Sequence, residues 1–403
     1  MDRDNASPQV PETPLWKRLL RAVPIILFLS LLVWLFGRLG VLHKLETVAM
    51  DAQMKLGPVP AESVAIVDIT TEDYQDKNLF NGTSPLNAQK LEKLIDAIAR
   101  GEPAVIGVDI DTSAPQFRDS FKIKNRKSHI VWEREVEKIP ENASAKEKAQ
   151  PEPLDVLGGT KDLDPARNST GVALLIDDED NVTRRYRRLI PTRVGNLPSF
   201  SWEVVTAYWK KDKPEELHKL QGSTDDLLIM YFGDRSRSHR LILTASEVLK
   251  LSRNWPDSSP IRKKIVLLGG SYLDQDRHDT PLGWMNGLYV MANVIETELV
   301  TKLEPGSHKA PNKLAVFLLE VFESFVLILL FHIRRLRIAL VLSLLLIPVI
   351  SIVCSLITYG TLAYLYHFVP ILIGLLIYEL YEHYRRSAVP RLYREITGST
   401  GHK

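Results

Sequence analysis

Asp68, Asp109 and Asp111 close two apolar runs, Val64-Ala-Ile-Val-Asp68 and Ala104-Val-Ile-Gly-Val-Asp109-Ile-Asp111. A third run, Lys264-Ile-Val-Leu-Leu, opens into Gly269 and Gly270 and then into a polar stretch carrying Asp274, Asp276, His278, Asp279 and Thr280. Open α/β sheets bind ligands at the carboxyl ends of their strands. Acids converging there suit a cation or a basic ligand. The competing reading is that the same carboxylates cap loops and helix N-termini. The candidate ligand-binding residues are therefore Asp68, Asp109, Asp111, Gly269, Gly270, Asp279 and Thr280. The pattern Asp274-x-Asp276-x-His278-Asp279 lacks the Gly and terminal Glu of a calcium hand, so no metal is assigned. No nucleophile–base pair stands out. No catalytic residue or cofactor is named, and the chain is read as a non-enzyme.

The elements that must position these residues alternate strand and helix. Residues 64–69 form a buried strand, 86–100 a helix with Leu91, Leu94, Ile95 and Ile98 inward, and 104–111 a second strand. That order predicts a parallel pair joined by a right-handed crossover. Residues 129–135 read as a further strand and 137–165, charged and rich in proline, as an exposed insertion. Residues 171–176 and 183–190 flank the acidic turn Asp177–Asn181 and predict a β-hairpin. Its second arm carries Arg184, Arg185, Arg187 and Arg188, whose alternation predicts a solvated face paired with the acidic turn. Then follow a helix over 200–209, a strand over 227–232, a short helix over 243–250 and the last strand, 264–268. Gly269 and Gly270 are expected to take the backbone out of the sheet through conformations other residues resist. A closing helix starts near Gly287 with Leu288, Met291, Ile295 and Leu299 on one face. The fold class is α/β, a mixed, largely parallel sheet with flanking helices.

The rest of the chain predicts a membrane frame. Residues 1–18 form a polar tail. Residues 19–42 are long enough to cross a bilayer if Arg21 and Arg38 snorkel, and an amphipathic helix over 43–56 follows. Three further spans lie at 314–333, 336–358 and 361–381, and 382–403 form a second tail. Basic residues precede span one, fill the loop with Arg334, Arg335 and Arg337, and follow span four at Arg385 and Arg386. All lie on one side if both termini are cytoplasmic, which leaves 43–312 outside. Glu320 and Glu323 share a face of span two, with Glu323 about 13 Å deep in a core of about 30 Å. Carboxyls at that depth mark function or helix contact. With Arg334, Arg335 and Arg337 they are the candidate relay residues. A formal net charge of +2 gives no reason to expect nucleic acid, and the single Cys354 rules out a disulfide framework.

Lys264-Ile-Val-Leu-Leu-Gly269, Asp279-Thr280-Pro281, Gly287 and Ala292-Asn293 resemble the closing motif of the CHASE type-2 family, the cyclases/histidine kinases associated sensory extracellular domain. The two strands that end in acids around a helix resemble its opening. The family often has His where Met291 stands, and a Trp-Pro-Trp-x-Arg-like segment where Thr83-Ser84-Pro85-Leu86-Asn87 stands here. The resemblance implies an extracytoplasmic sensor in the inner membrane that detects a small-molecule or envelope ligand. Relatives usually continue into a kinase or cyclase. Fewer than about 25 residues follow Tyr381, below the 50 a domain needs, so output is expected through a separate cytoplasmic partner. The lipid bilayer is the other expected partner, and a homodimer stays open. The alternative is an envelope scaffold.

Overall fold

The computed structural model describes residues 63–118, 128–137, 150–160, 163–212, 214, 222–232, 240–255, 259–274 and 276–300, with Thr47, Asp51 and Met54, each helical. Residues 63–300 belong to one compact unit, Met54–Lys309. Among the described residues no helix is long and apolar enough to cross a membrane. The four predicted spans, and with them Glu320, Glu323, Arg334, Arg335 and Arg337, lie outside the described residues.

Six parallel strands form the central sheet: β1 (Val64–Ile69), β2 (Val105–Asp109), β3 (His129–Arg134), β4 (Asn168–Val172), β10 (Ile242–Thr244) and β11 (Ile265–Gly270). Their spatial order is β10-β1-β11-β2-β3-β4. β1 and β2 are therefore not neighbours, because β11 occupies the slot between them. The unbroken apolar runs of β1, β2 and β11 are those of strands covered on both faces. On one face Val67, Leu268, Val108 and Trp132 pack beneath α2 (Ala88–Arg100) and α4 (Ala245–Leu251). Asn87 caps α2 by accepting from the Lys90 N–H at 3.1 Å. Leu91, Leu94, Ile95 and Ile98 are fully buried, at about 1.5–3 kcal/mol each. α1 (Thr71–Gln75) follows β1 with a Thr70–Asp73 capping box, and Asp73 also accepts from the Ala245 N–H at the start of α4. The other face carries α3 (Phe200–Asp212) and α5 (Gly287–Val300).

Five predictions are corrected. β10 takes Leu243 and Thr244 from the start of the expected helix over 243–250, which begins instead at Ala245; three residues at a sheet edge are too short to show a period. The expected hairpin over 171–190 is divided. Gly171 and Val172 end β4 in the main sheet, and only β5 (Ile176–Asp177) pairs with β6 (Thr183–Tyr186), which also takes β9 (Leu227–Leu228). Ile229–Phe232 are buried without extending that strand. β7 (Leu189–Thr192) turns back onto β8 (Gly195–Pro198). Within 137–165, Pro153 bridges to Val136 and Val156 and Leu157 enter the core, so that part of the expected exposed insertion is built into the fold. Arg184 and Arg188 are buried rather than solvated. Arg184 reaches Asp180 at 2.7 Å and Asp178 at 3.2 Å, so the acidic turn neutralises a buried guanidinium. Arg188 is held by Glu298 of α5.

Candidate functional site

Residues of alternate parity point to opposite faces of a sheet. On the α3–α5 face the last row runs Asp68, Gly269, Asp109, then Glu133 and Gly171. Two of the predicted acids thus share a row, yet they do not meet. Gly269 lies between them, and the side chain of Leu288 covers it so closely that a Cβ would come within 2.7 Å. Neither Gly269 nor Gly270 takes a left-handed backbone; both continue β11. The expected reason for these glycines is replaced by close approach, of Leu288 over Gly269 and of the Tyr272 ring over Gly270.

Asp68 is fully buried on its side of Leu288. Its carboxylate accepts from the Ser271 N–H at 3.0 Å, the Ser271 hydroxyl at 2.9 Å and the Tyr289 hydroxyl at 3.0 Å. These bonds make it an anchor between β1, the end of β11 and α5. Asp279 and Thr280 also leave the site. The predicted polar loop contains a hairpin of β12 (Arg277–Thr280) and β13 (Gly283–Asn286). Asp279 pairs across it with Trp284, and the Thr280 hydroxyl donates to Gly283 O at 2.6 Å inside the turn.

The other side of Leu288 opens into a cleft of about 470 Å³. Asp109 and Glu133 border it from β2 and β3, and Asp111 and Glu135 from the loops beyond those strands. Asp276 and His278, two residues apart, line it from the β12–β13 hairpin, while Gly270 and Tyr272 border it beneath that hairpin. Gly287 and Met291 of α5 complete the wall, and Ser84, Pro85 and Leu86 close it from the segment before α2. Among the described residues no Lys or Arg lines it. Of the predicted ligand residues, the cleft takes Asp109, Asp111 and Gly270. Glu133 was missed, although parity alone places it beside Asp109.

Burial pushes the Asp109 carboxyl up to about 6, against the lowering effect of its hydrogen bond with Glu133; Asp276 adds to the rise and His278 opposes it. Burial raises Glu133 well above the carboxylate range, reinforced by Asp109 and then by Glu135 and Asp111. Two carboxyls this close hold one proton between them near neutrality. Burial disfavours the charge on His278, but its hydrogen bond to Asp276 at 3.0 Å and the surrounding acids raise it on balance. Asp276 sits against the first residue of α5, where a Cβ on Gly287 would collide with its carboxylate. Among the described residues no three His, Cys, Asp or Glu side chains are grouped to hold a metal ion.

A family model for the CHASE2 domain matches residues 25–333, more than half of the chain. The chain belongs to the CHASE2 family. No curated protein and no solved structure matches it. CHASE2 domains are sensory and extracellular, which supports a sensor role and agrees with a membrane protein carrying an extracytoplasmic domain. Met291 and the segment Ser84–Leu86 both border the cleft. Met291 lines it and accepts a hydrogen bond at Sδ from the Ser201 hydroxyl at 3.1 Å. The segment 84–86 supplies Ser, Pro and Leu to the lining.

Proposed function

We propose that this CHASE2 protein is a membrane-anchored extracytoplasmic sensor without enzymatic activity. The acid-lined cleft at the ends of β2 and β3 is its input site. The observation that carries the reading is the position of α5. Gly287 and Met291 in its first turns form the cleft wall, while Glu296 and Glu298 in its last turn are buried anchors. Glu296 accepts from the Ser63 and Val64 N–H groups at the start of β1. A ligand that binds one position of this helix more tightly than another shifts it toward that position. Residue 300 is 14 positions before the predicted span at 314–333, whose Glu320 and Glu323 and following Arg334, Arg335 and Arg337 form the relay to a separate cytoplasmic or membrane partner.

The test is a transcript profile of cells carrying the intact gene, a deletion, Asp109→Asn or Glu323→Gln. A sensor changes one shared set of transcripts in all three altered strains, with the variants present at parental levels. A scaffold of the envelope shows defects on deletion alone, with Asp109→Asn silent, and that result overturns the reading.

A further inference from the structure

We propose that the cleft is a receptor site for a free organic amine, whose ammonium group replaces the proton shared by Asp109 and Glu133. The inference deepens the sensor reading and rests on the cleft being its input site. Its starting point is an unmet need. Glu133 is 7 % exposed and Asp109 half-buried, yet among the described residues no group outside the pair donates to either carboxyl; their one hydrogen bond is with each other. Buried carboxylates without donors are costly, and one shared proton relieves only half of the pair.

Charge selects the sign of the ligand. The groups facing the pair are Asp111 and Glu135 beyond the two strands, Asp276 and His278 on the hairpin, and Tyr272 after β11. Among the described residues His278 is the sole basic side chain in the lining, and Asp276 already holds it. A concave surface of one sign concentrates the opposite ion. Shape selects an organic cation. The volume of about 470 Å³ lies in the range of small-molecule sites and far exceeds a bare ion. Leu86, Ile110, Val136 and Met291 alternate with the acids along the wall and suit a short hydrocarbon body. Asp111, exposed beyond the pair, stands to meet a second ammonium, which favours a diamine.

The exchange balances in charge and protons. The pair enters with one negative charge and one proton, the ammonium brings one positive charge, and two carboxylates, one ammonium and one released proton result. A primary ammonium supplies three donors to the two carboxylates.

The experiment uses the full-length chain in phosphatidylcholine nanodiscs, so that no lipid offers a primary amine, in buffers that contain none. 1,4-Diaminobutane and butylamine are titrated by calorimetry at pH 7 in two buffers of different ionisation enthalpy. Binding of the diamine with release of about one proton is expected, at about fivefold higher affinity than butylamine for one added ion pair. Glu133→Gln, which keeps size and hydrogen bond, should weaken binding at least about tenfold and abolish proton release. Asp111→Asn should narrow the gap between the two amines and leave proton release intact. Absence of binding to the parent chain overturns the ligand class, as does unchanged binding and proton release in Glu133→Gln. If amines fail while Asp109→Asn still changes the transcripts, the sensor reading stands without this ligand. If amines bind and the transcripts do not respond, the site stands and the sensor reading falls.

Discussion

Arg188 and Glu298 form a two-pronged ion pair, Nε to Oε1 and Nη2 to Oε2, both at 2.8 Å. Glu298 is fully buried in the last turn of α5, Arg188 stacks over the Trp202 ring at 4.3 Å, and the Tyr186 hydroxyl donates to Glu298 at 2.7 Å. The pair ties the end of the closing helix to the segment between β6 and β7. Buried pairs are costly to halve and cheap to replace whole. Arg188→Met alone should therefore destabilise the domain by about 3–5 kcal/mol in chemical denaturation. Arg188→Met combined with Glu298→Leu should recover most of that loss. Equal losses in the single and double variants would show that the pair contributes by packing rather than by charge.

Asp68 and Asp111 look alike in the sequence and should behave oppositely. Asp68→Ala strands three donors, two on half-buried Ser271 and the buried Tyr289 hydroxyl, and should cost on the order of 3 kcal/mol in thermal unfolding. Asp111 is exposed, and its one hydrogen bond, from the Ser113 N–H at 2.8 Å, is local. Asp111→Asn should stay within about 0.5 kcal/mol of the parent.

The carboxyl pair sets a pH dependence whose sign follows from proton binding. The folded Asp109 titrates near 6 and the unfolded one near 3.9, so the folded state binds more protons between those values. Stability must then fall as pH rises from about 4 to 6. His278, also raised, adds a loss that begins near its unfolded value of about 6.5 and runs upward. Melting temperatures measured from pH 4 to 8 should show Asp109→Asn gaining on the parent as pH rises through the lower window. A parent-to-variant difference that is flat with pH would remove the pair from the titration.

The predicted membrane frame is open to fusion reporters that work only in the cytoplasm. Fusions after Arg337 and at Lys403 should be active, and one near Asn142 silent. Activity at Asn142 would reverse the orientation.

The parts of the fold legible in the sequence are those with a long, one-signed pattern. β1, β2 and β11 are continuous apolar runs, and α2 shows its buried stripe at 91, 94, 95 and 98. β10, β12 and β13 are three or four residues long, too short to show a period, and β10 pairs with β1 far back along the chain. The burial of Arg184 was hidden for a related reason: an arginine can leave water only where a partner waits, and Asp178 and Asp180 are brought over it by the turn. For the site, the strand ends were visible and the barrier was not. Nothing in the spacing shows that Leu288 would lie on Gly269 and part Asp68 from Asp109. Glu133 could have been found by carrying the parity of β2 one strand further.

The slot that β11 fills has a consequence for how the molecule comes into being. Ser271 and Asp68, joined at 3.0 Å, are 203 residues apart in the chain. As synthesis proceeds, β1 and β2 are complete long before the strand that joins them, and each waits with an unpaired edge. Closing so long a loop is slow, because its entropy is lost before the contacts that reward it form. The interval is also when open edges recruit other chains. The β12–β13 hairpin and α5 arrive later still, so the acid cleft is finished only after the sheet has been zipped from its middle. Quality control that recognises exposed strand edges would thus pass only molecules whose cleft is within one hairpin and one helix of completion.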